Sequence, residues 1–260
     1  MRIVTWNINS VRLRIGTLKR VVDMLHPDVV CLQETKAIDE LFPMEGIKAL
    51  GFDHVIMRGM KGYNGVAIMS RVPMEEGARS NWCNKEDCRH IWAKLPGDVE
   101  LHNFYVPAGG DTPDPELNPK FAHKLDFLAE MTAWSEAQPP GKRIMVGDLN
   151  IAPHEHDVWS HKQLLDVVSH TPVETEGLIK LQETGWVDAV RHFVPLHEKL
   201  YTWWSYRNRT WPGDNRGRRL DHIWVTPPLA AKLGGTFVLR EARGWEKASD
   251  HVPVSVDIEL

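Results

Sequence analysis

Residues 144–150 read Ile-Met-Val-Gly-Asp-Leu-Asn, and this short stretch is the clearest indication of the fold. Its apolar run ends at Gly147 and predicts a buried β-strand over residues 143–147, because strands inside a packed sheet are short and continuously apolar. Two polar residues, Asp148 and Asn150, follow directly at the end of that strand. An apolar strand with polar side chains at one end is the pattern that recurs along the rest of the chain.

Short apolar runs of this kind alternate with amphipathic segments from one end of the chain to the other. Leu18, Val21, Val22 and Leu25 recur with helical spacing, and Pro27 ends that helix. Further helices are predicted near residues 121–131 and 177–184, and strands at residues 2–7, 28–33, 64–70, 90–95, 100–106, 219–225, 236–241 and 252–259, with a hairpin turn at residues 96–97.

Many short strands and few helices predict an α/β fold in which two packed, mostly antiparallel β-sheets are flanked by helices. The alternation would also suit a parallel, doubly wound sheet, but the sequence lacks a glycine-rich phosphate loop between a strand and a helix. The sequence also lacks a linker, a low-complexity tract and an internal repeat, and its 260 residues suffice to bury a large core. Residues 1–260 are therefore predicted to form a single domain.

The overall composition is that of an ordinary globular protein, with 42% hydrophobic residues, 25% charged residues and a formal net charge of -4. This charge argues against a protein that coats nucleic acid non-specifically, because such a protein is usually basic. It does not exclude a nuclease, since a bound cation cancels the charge of an acidic metal site.

The cysteines and the N-terminus bear on the cellular compartment. Cys31, Cys83 and Cys88 are too few and too scattered for a disulfide framework and indicate reduced thiols. A zinc site at Cys83 and Cys88 would need a second ligand pair, which the sequence does not supply. The first residues do not follow a signal-peptide pattern, and the apolar runs are shorter than a membrane span. We expect a cytoplasmic protein that does not bind a membrane.

Polar and acidic residues stand at the ends of several predicted strands. These residues are Asn7, Glu34, Tyr105, Asp148, Asn150, Asp221, Asp250 and His251. In an antiparallel sheet the end of one strand lies beside the start of its neighbour, so these side chains can gather at one rim of the fold. Each one taken alone would more often be a turn or cap residue. Their joint occurrence along the whole chain favours an active site.

Residues 201–221 interleave aromatic and basic side chains immediately before Asp221. The aromatic residues are Trp203, Trp204, Tyr206 and Trp211, and the basic ones are Arg207, Arg209, Arg216, Arg218 and Arg219. Arginines contact phosphates and aromatic rings stack on bases or sugars, so this segment is a candidate DNA-binding surface. The alternative interpretation is that Trp203 or Trp204 belongs to the core and that the arginines are solvated. Lys61, Arg12 and Arg14 are further candidates for phosphate contacts.

The motifs around these residues resemble the exonuclease III family of the endonuclease/exonuclease/phosphatase superfamily. They are Trp6-Asn7-x-Asn9, Leu32-Gln33-Glu34-Thr35-Lys36, Tyr63-Asn64-Gly65-Val66-Ala67, Tyr105-Val106-Pro107, Gly147-Asp148-Leu149-Asn150, Arg219-Leu220-Asp221-His222 and Ser249-Asp250-His251-x-Pro253. The match runs in order from residue 3 to residue 255. Each motif is modestly specific, but all seven in order are highly specific for the superfamily.

This resemblance implies a four-layered α/β sandwich and a divalent cation, normally Mg²⁺ with Mn²⁺ as a substitute. Glu34 would be the principal metal ligand, in keeping with the preference of magnesium for a few oxygen ligands. The wider metal region implied by the resemblance also includes Asn7, Asn9, Asp148, Asn150, Asp250 and His251.

The resemblance also implies the catalytic roles. Asp148 would position and deprotonate the attacking water, with Asn150 orienting Asp148 and the phosphate. His251 would donate to a phosphate oxygen while Asp221 holds its imidazole in place. Tyr105 would contact the same phosphate.

The implied function is that of a DNA repair nuclease that hydrolyses phosphodiester bonds of double-stranded DNA. Its activities would be those of a 3′-to-5′ exodeoxyribonuclease, a 3′-end phosphatase or phosphodiesterase, and an abasic-site endonuclease. The partners would be duplexes with 3′ ends, nicks or abasic sites, bound by a monomer. Asn9, Lys61, Trp203, Arg207, Arg209, Arg216, Arg218 and Leu220 are the expected DNA-binding residues. In the family, an aromatic residue two positions before the Tyr206-like residue and an apolar residue before the Asp221-like one, here Leu220, line a pocket for an extruded sugar. We expect that Trp203 and Trp204 do not both line it.

The segment at residues 151–176 departs from the family pattern. Relatives that cut abasic sites often have a Lys/Asn/Gly-rich stretch here, whereas this chain has His161, Lys162, Gln163 and His170. Bulky side chains in this loop would restrict an extruded nucleotide, so the sequence favours 3′-end processing over abasic cleavage.

Three other functions share part of the pattern. A phosphodiesterase of the same fold could act on a non-DNA phosphoester such as an inositol phosphate. A secreted DNase is disfavoured by the missing signal peptide and disulfide pattern. A non-catalytic DNA-binding module is disfavoured because every expected catalytic position is filled.

Overall fold

A computed structural model describes residues 1–208 and 210–260 of the chain. The described strands form two six-stranded sheets. In spatial order the first sheet consists of β11 (Leu233–Val238), β12 (Val254–Ile258), β1 (Arg2–Asn7), β2 (Val29–Gln33), β4 (Val66–Ser70) and β3 (His54–Arg58). The second consists of β5 (Glu75–Glu76), β6 (His90–Leu95), β7 (Val99–Tyr105), β8 (Lys142–Asp148), β10 (Asp221–Val225) and β9 (Val187–Asp188).

Both sheets are mixed, and most of their neighbouring strands are antiparallel. The parallel pairs are β1 with β2 in the first sheet and β7 with β8 in the second. The helices are α1 (Ile15–Leu25), α2 (Met44–Ala49), α3 (Pro119–Glu136), α4 (His161–Leu164), α5 (Pro172–Glu183) and α6 (Pro227–Ala230). Short 3₁₀ turns lie at Asp39–Leu41, Trp82–Asn84, Glu155–Asp157 and Arg240–Gly244.

The two sheets pack face to face with the helices outside them. The apolar layer between the sheets includes Ile3 from β1 and Ile144 from β8. Side chains alternate along a strand, so the next residue of β1, Val4, points outward and packs with Leu18 of α1. Met145 of β8 likewise packs in the layer that contains α3. The four-layered α/β sandwich predicted from the sequence is therefore confirmed.

Strand direction brings the polar strand ends to one rim. β1 and β2 run in parallel and end at Asn7 and Gln33, while β7 and β8 end together, with Tyr105 opposite Asp148. β10 runs antiparallel to β8, and its first residue, Asp221, pairs with Asp148. The gathering of polar residues predicted from the strand ends is present in the structure.

Several element boundaries differ from the sequence-based prediction. The helix expected near residues 177–184 begins earlier, because Thr171 and Glu174 form a capping box and Pro172 occupies the first turn. The strand expected at residues 236–241 ends at Val238, and a 3₁₀ turn follows. β3, β5, β9 and the short helices α2, α4 and α6 were not predicted. No helix within the described ranges is long and apolar enough to cross a membrane.

Candidate active site

The Gly-Asp-Leu-Asn segment at the end of β8 places Asp148 at the bottom of the site. A Cβ atom on Gly147 would lie 1.9 Å from the carbonyl oxygen of Phe104, so only glycine allows β8 to approach β7 this closely. Asn150 adopts a left-handed conformation, with a φ angle of 54°. This turn folds Asn150 back onto Asp148, and its backbone N–H donates to Asp148 Oδ1 at 3.0 Å.

Asp148 is almost completely buried and accepts hydrogen bonds from two amides. Asn7 Nδ2 donates to Asp148 Oδ2 at 2.9 Å, and Asn150 Nδ2 donates to the same oxygen at 3.2 Å. Burial raises the pKa of Asp148 to about 7; the His251 charge opposes that rise, and the carboxylates of Asp221 and Glu34 add to it. The two amide donors fix the orientation of a carboxyl group that can exchange a proton near neutral pH.

His251 lies between two carboxylates. Its Nδ1 is 2.8 Å from Asp221 Oδ2, and its Nε2 is 3.6 Å from Asp148 Oδ2. Burial alone would lower the pKa of His251, but Asp221 and Asp148 outweigh it and raise the pKa to about 10. Thr202 Oγ1 also donates to Asp221 Oδ2, at 2.6 Å. His251 is therefore an imidazolium at neutral pH, with Nδ1–H held by Asp221 and Nε2–H available as a donor.

Asp148, Asp221 and His251 are close enough in space to hold a metal ion. An imidazolium has no free nitrogen lone pair, however, so His251 in this form is a hydrogen-bond donor rather than a metal ligand. The charged form of His251 fits an acid–base role, and the three residues fit a metal ion only when His251 is neutral.

Glu34, which directly follows β2 of the first sheet, supplies a third carboxylate to the site. Its Oε1 accepts hydrogen bonds from Asn7 Nδ2 and from the Tyr105 hydroxyl, both at 2.9 Å, and its Oε2 is 2.8 Å from Lys36 Nζ. Burial raises the pKa of Glu34, but hydrogen bonds from Asn7 and Lys36 outweigh burial and hold it below its ordinary value. Glu34 is thus a carboxylate, and Asn7 joins it to Asp148.

Asp250 and Asn9 complete this side of the site. Asp250 Oδ1 accepts from Asn9 Nδ2 at 3.2 Å, and Asp250 Oδ2 accepts from Trp203 Nε1 at 3.0 Å. Together with Glu34 and Asn7, these residues offer carboxylate and amide oxygens, which are the ligands that Mg²⁺ prefers. The residues present fit a magnesium ion at Glu34.

An open cleft of about 670 Å³ lies over these groups. Its lining joins catalytic candidates to the aromatic and basic segment at residues 201–221 and to the 151–176 loop. The lining includes Glu34, Asn150, Trp159, Val168, Trp203, Arg207, Arg216, Arg218, Leu220, Asp250 and His251. A cleft of this composition can hold an anionic substrate against the proposed cation site.

The model of the endonuclease/exonuclease/phosphatase family matches residues 4–251. The chain belongs to this family. It is 32% identical to exodeoxyribonuclease III of Haemophilus influenzae, an alignment that covers 98% of both chains. It is also similar to the DNA repair nuclease APEX1 of Danio rerio, with 29% identity over 98% of this chain and 81% of that one.

Solved structures of family members superpose over the full length. An AP endonuclease from Archaeoglobus fulgidus matches with a TM-score of 0.92 and 31% identity, covering 100% of both chains. The 3′ phosphatase NExo from Neisseria, solved bound to a product DNA hairpin, matches with a TM-score of 0.91 and 31% identity over 100% of both chains. The predicted resemblance to the exonuclease III family is confirmed.

The two neighbouring tryptophans of this family member have different environments. Trp203 is half-buried and lines the cleft beside Leu220. Trp204 is completely buried, and its Nε1 donates to Asn215 Oδ1 at 2.9 Å. Of the two, Trp203 lies at the cleft, whereas the family position two residues before Tyr206 falls on the buried Trp204.

The arginines of the same segment divide into exposed and buried groups. Arg207 and Arg216 are exposed and line the cleft. Arg218 also lines the cleft, where its guanidinium lies over the Trp203 ring and donates to Val168 O at 2.9 Å. Arg209, which the sequence also predicts to contact DNA, lies outside the described residues. Lys61 is exposed on the loop before β4.

Two basic residues that the sequence suggested as phosphate contacts are instead buried, so those predictions were wrong. Arg219 is 1% exposed and is paired with Asp188 at 2.6 Å and with Asp157 at 3.2 Å. Arg14 is also buried, and it donates to backbone carbonyls, among them Lys247 O at 2.7 Å. Sequence alone cannot separate these arginines from exposed ones, because their partners are distant along the chain.

The 151–176 loop borders the cleft through residues that the sequence did not single out. Trp159, Val168 and Ser169 line the cleft. His170 is buried and bonded to Ala152 O at 2.6 Å, and its Nε2 lies 2.8 Å from Nδ1 of the exposed His161. Lys162 and Gln163 are exposed at the start of α4. The loop can therefore narrow the cleft, but Trp159 and Val168 are the bulky groups that face it.

Proposed function

We propose that this protein is a DNA repair nuclease that hydrolyses phosphodiester bonds of double-stranded DNA with the help of a divalent cation. One observation carries the proposal: a buried carboxyl group, Asp148, and a charged imidazole, His251, lie beside Glu34 under a cleft lined with arginine and tryptophan. The cleft matches an anionic backbone, and the groups beneath it match the chemistry of its hydrolysis.

Each catalytic group has a distinct part in this proposal. Asp148, oriented by the amides of Asn7 and Asn150, accepts the proton of the attacking water. His251, held by Asp221, donates from Nε2 to a phosphate oxygen and stabilises the negative charge of the transition state.

Glu34 is the principal metal ligand in this proposal, with Asn7, Asn9 and Asp250 supporting it. The cation, Mg²⁺ with Mn²⁺ as a substitute, would act as a Lewis acid on the phosphoryl oxygen. Tyr105 donates its hydroxyl to Glu34, and in this proposal it also contacts the phosphate.

The proposed reactions are removal of nucleotides or phosphates from 3′ ends and cleavage at abasic sites. Support comes from the names of the relatives, which include an exodeoxyribonuclease III, an AP endonuclease and a 3′ phosphatase bound to DNA. Trp159 and Val168, which narrow the cleft, favour 3′-end processing over abasic cleavage, because an extruded sugar needs an open pocket.

The test compares turnover on three DNA duplexes: one with an internal abasic site, one with a 3′-phosphate nick and one with blunt ends. We expect Mg²⁺-dependent cleavage that EDTA stops, with the nick or blunt end cut faster than the abasic site. Inositol phosphates serve as the comparison substrate. Faster hydrolysis of an inositol phosphate than of any duplex would overturn the DNA assignment in favour of a phosphodiesterase for non-DNA esters. DNA binding without cleavage in Mg²⁺ would indicate a binding module.

The single domain over residues 1–260, the monomeric state and the cytoplasmic location stay predictions. Light scattering of the purified chain checks the monomer, and limited proteolysis that yields no stable fragment would agree with one domain.

A further inference from the structure

Lys36 places its ammonium group between two oxygens of the proposed metal region. Lys36 Nζ lies 2.8 Å from Glu34 Oε2 and 2.7 Å from Asn9 Oδ1. Both oxygens are of the kind that Mg²⁺ binds, and Glu34 is the residue to which the cation is assigned above. The catalytic proposal gives Lys36 no task.

The backbone holds Lys36 in this place. β2 ends at Gln33, and both Glu34 and Lys36 then adopt left-handed conformations, with φ angles of 50° and 51°. The N–H of Lys36 donates to Asn64 O at 2.9 Å, and that of Thr35 donates to Gly65 O at 3.1 Å. Two left-handed residues other than glycine in one short turn are unfavourable unless the surroundings stabilise them, and such residues cluster at functional sites.

An ammonium group and a metal ion cannot share these oxygens. Mg²⁺ binds oxygen at about 2.0–2.1 Å, so an ion on Glu34 Oε2 would come very close to a nitrogen that contacts the same oxygen. The two like charges repel, and the site is largely shielded from water, since only 19% of the Glu34 side chain is exposed. Lys36 Nζ must therefore leave Glu34 Oε2 before a cation binds there.

We propose that Lys36 is an internal cation that competes with the metal for Glu34 and Asn9 and thereby weakens metal binding. This inference rests on the proposed metal assignment of Glu34. The Lys36 side chain is 31% exposed, so its ammonium has room to turn toward solvent when the metal displaces it. The affinity for metal then depends on how much more favourably the metal ion binds these oxygens than the Lys36 ammonium does, and not on the oxygen ligands alone.

The alternative role for Lys36 is to hold Glu34 and Asn9 in place for the metal ion, and it predicts the opposite effect on metal binding. If Lys36 only orients Glu34 and Asn9, removing its charge frees both side chains to move. Metal binding should then weaken, because ligands that are not held in place bind less tightly.

The experiment measures Mn²⁺ binding to the full chain without DNA, by electron paramagnetic resonance of the free ion. Lys36→Met removes the ammonium and keeps the length of the side chain. Lys48→Met is the matched control, since it removes one exposed positive charge from the last turn of α2, which has no part in the proposed site. We expect Lys36→Met to lower the Mn²⁺ dissociation constant by about threefold to tenfold relative to Lys48→Met.

An unchanged or higher dissociation constant for Lys36→Met, relative to Lys48→Met, overturns the proposal. Lys36→Gln provides the same comparison if the methionine variant does not fold, and a circular dichroism melt checks both. Glu34→Gln separates this failure from failure of the metal assignment. If Glu34→Gln leaves Mn²⁺ binding intact, the cation is not at Glu34 and the metal assignment fails. If Glu34→Gln abolishes Mn²⁺ binding, the metal assignment holds, and the Lys36→Met result then decides the role of Lys36.

Discussion

At the scale of single residues, the chemistry depends on charges contributed by distant parts of the chain. His251 donates a hydrogen bond from Nδ1 to Asp221, which lies at the start of β10 and 30 residues away along the chain. Asp148 faces it from the end of β8. Two carboxylates from the second sheet therefore set the protonation state of a histidine that precedes β12 of the first.

His251→Asn tests the part given to the imidazole. Asparagine keeps a hydrogen-bonding side chain near Asp221 but cannot carry the positive charge. We expect kcat on a 3′-end substrate to fall by about 10²–10³-fold with a much smaller change in KM, because a contact made in the transition state acts on turnover. Steady-state kinetics at saturating Mg²⁺ gives both constants. A rise in KM with kcat preserved would make His251 a binding residue only.

At the scale of elements, the segment at residues 201–221 shows how one sequence pattern combines two physical roles. Trp204 and Arg219 are buried and hold the segment against the body of the protein. Trp203 and Arg218, each next to one of those residues, line the cleft. The buried residues fix the positions of their half-buried neighbours, so the proposed DNA-binding surface is anchored to the packed body of the protein.

The salt dependence of DNA binding tests that surface. Changing Arg207, Arg216 and Arg218 to Ala should flatten the plot of log binding constant against log salt by about one unit per lost phosphate contact. Fluorescence anisotropy of a labelled duplex in Ca²⁺, across a salt series, provides the slope.

The matched control is Lys94→Ala. Lys94 is exposed near the β6–β7 turn, at the opposite end of the second sheet from Tyr105 and the cleft. Its loss should leave the slope unchanged. A triple variant with the slope of the unaltered protein would place the DNA on a different face.

At the scale of the whole molecule, a buried charge network beneath the site joins distant segments. Arg219 contacts Asp157 and Asp188, and it donates to His222 Nδ1 at 3.0 Å. His222 Nε2 lies 2.8 Å from Ile151 O. Neutral His222 satisfies both contacts, and burial together with the Arg219 charge lowers its pKa to about 3.

The sign of the pH dependence follows from that shift. The pKa of His222 is lower in the folded chain than the ordinary value near 6.5, so folding favours the neutral form. The contribution of neutral His222 to folding stability is complete above about pH 6.5. As the pH falls from there toward 3, the free energy of unfolding decreases by about 1.4 kcal/mol per pH unit. Urea unfolding at pH 7 and pH 5 should show the unaltered protein losing about 2 kcal/mol more than His222→Gln. Equal losses in both proteins would mean that His222 is protonated without cost.

The sequence was sufficient to predict the fold class and the polar rim, for a physical reason. Buried strands such as β8 have a continuous apolar signature, and the residues at their ends are read directly from the chain. The short edge strand β5 and the helix α4 have too few residues to show a period. Boundaries set by capping, as at Thr171, depend on local geometry that apolar spacing does not record.

The burial of these arginine side chains could not be predicted from the sequence for a different reason. Arg219 is paired with Asp157 and Asp188, which lie 62 and 31 residues away by numbering, and only the folded chain brings them together. Lys36 belongs to the Leu32-Gln33-Glu34-Thr35-Lys36 motif, but its contact with Asn9 depends on the left-handed turn after β2. Long-range partners decide whether a charged side chain faces substrate or protein.

Asp148→Asn is the decisive variant for the proposal that Asp148 activates water in a metal-dependent DNA phosphodiesterase. The change removes the carboxylate but keeps the shape of the side chain and a carbonyl oxygen for the amides of Asn7 and Asn150. Turnover on a duplex with a 3′-phosphate nick should fall by about 10²–10⁴-fold or more in Mg²⁺, since that is the contribution of general base catalysis. Anisotropy with the same duplex should show DNA binding unchanged. Turnover that survives, or a loss of turnover matched by an equal loss of DNA binding, would show that Asp148 is not the group that activates the water.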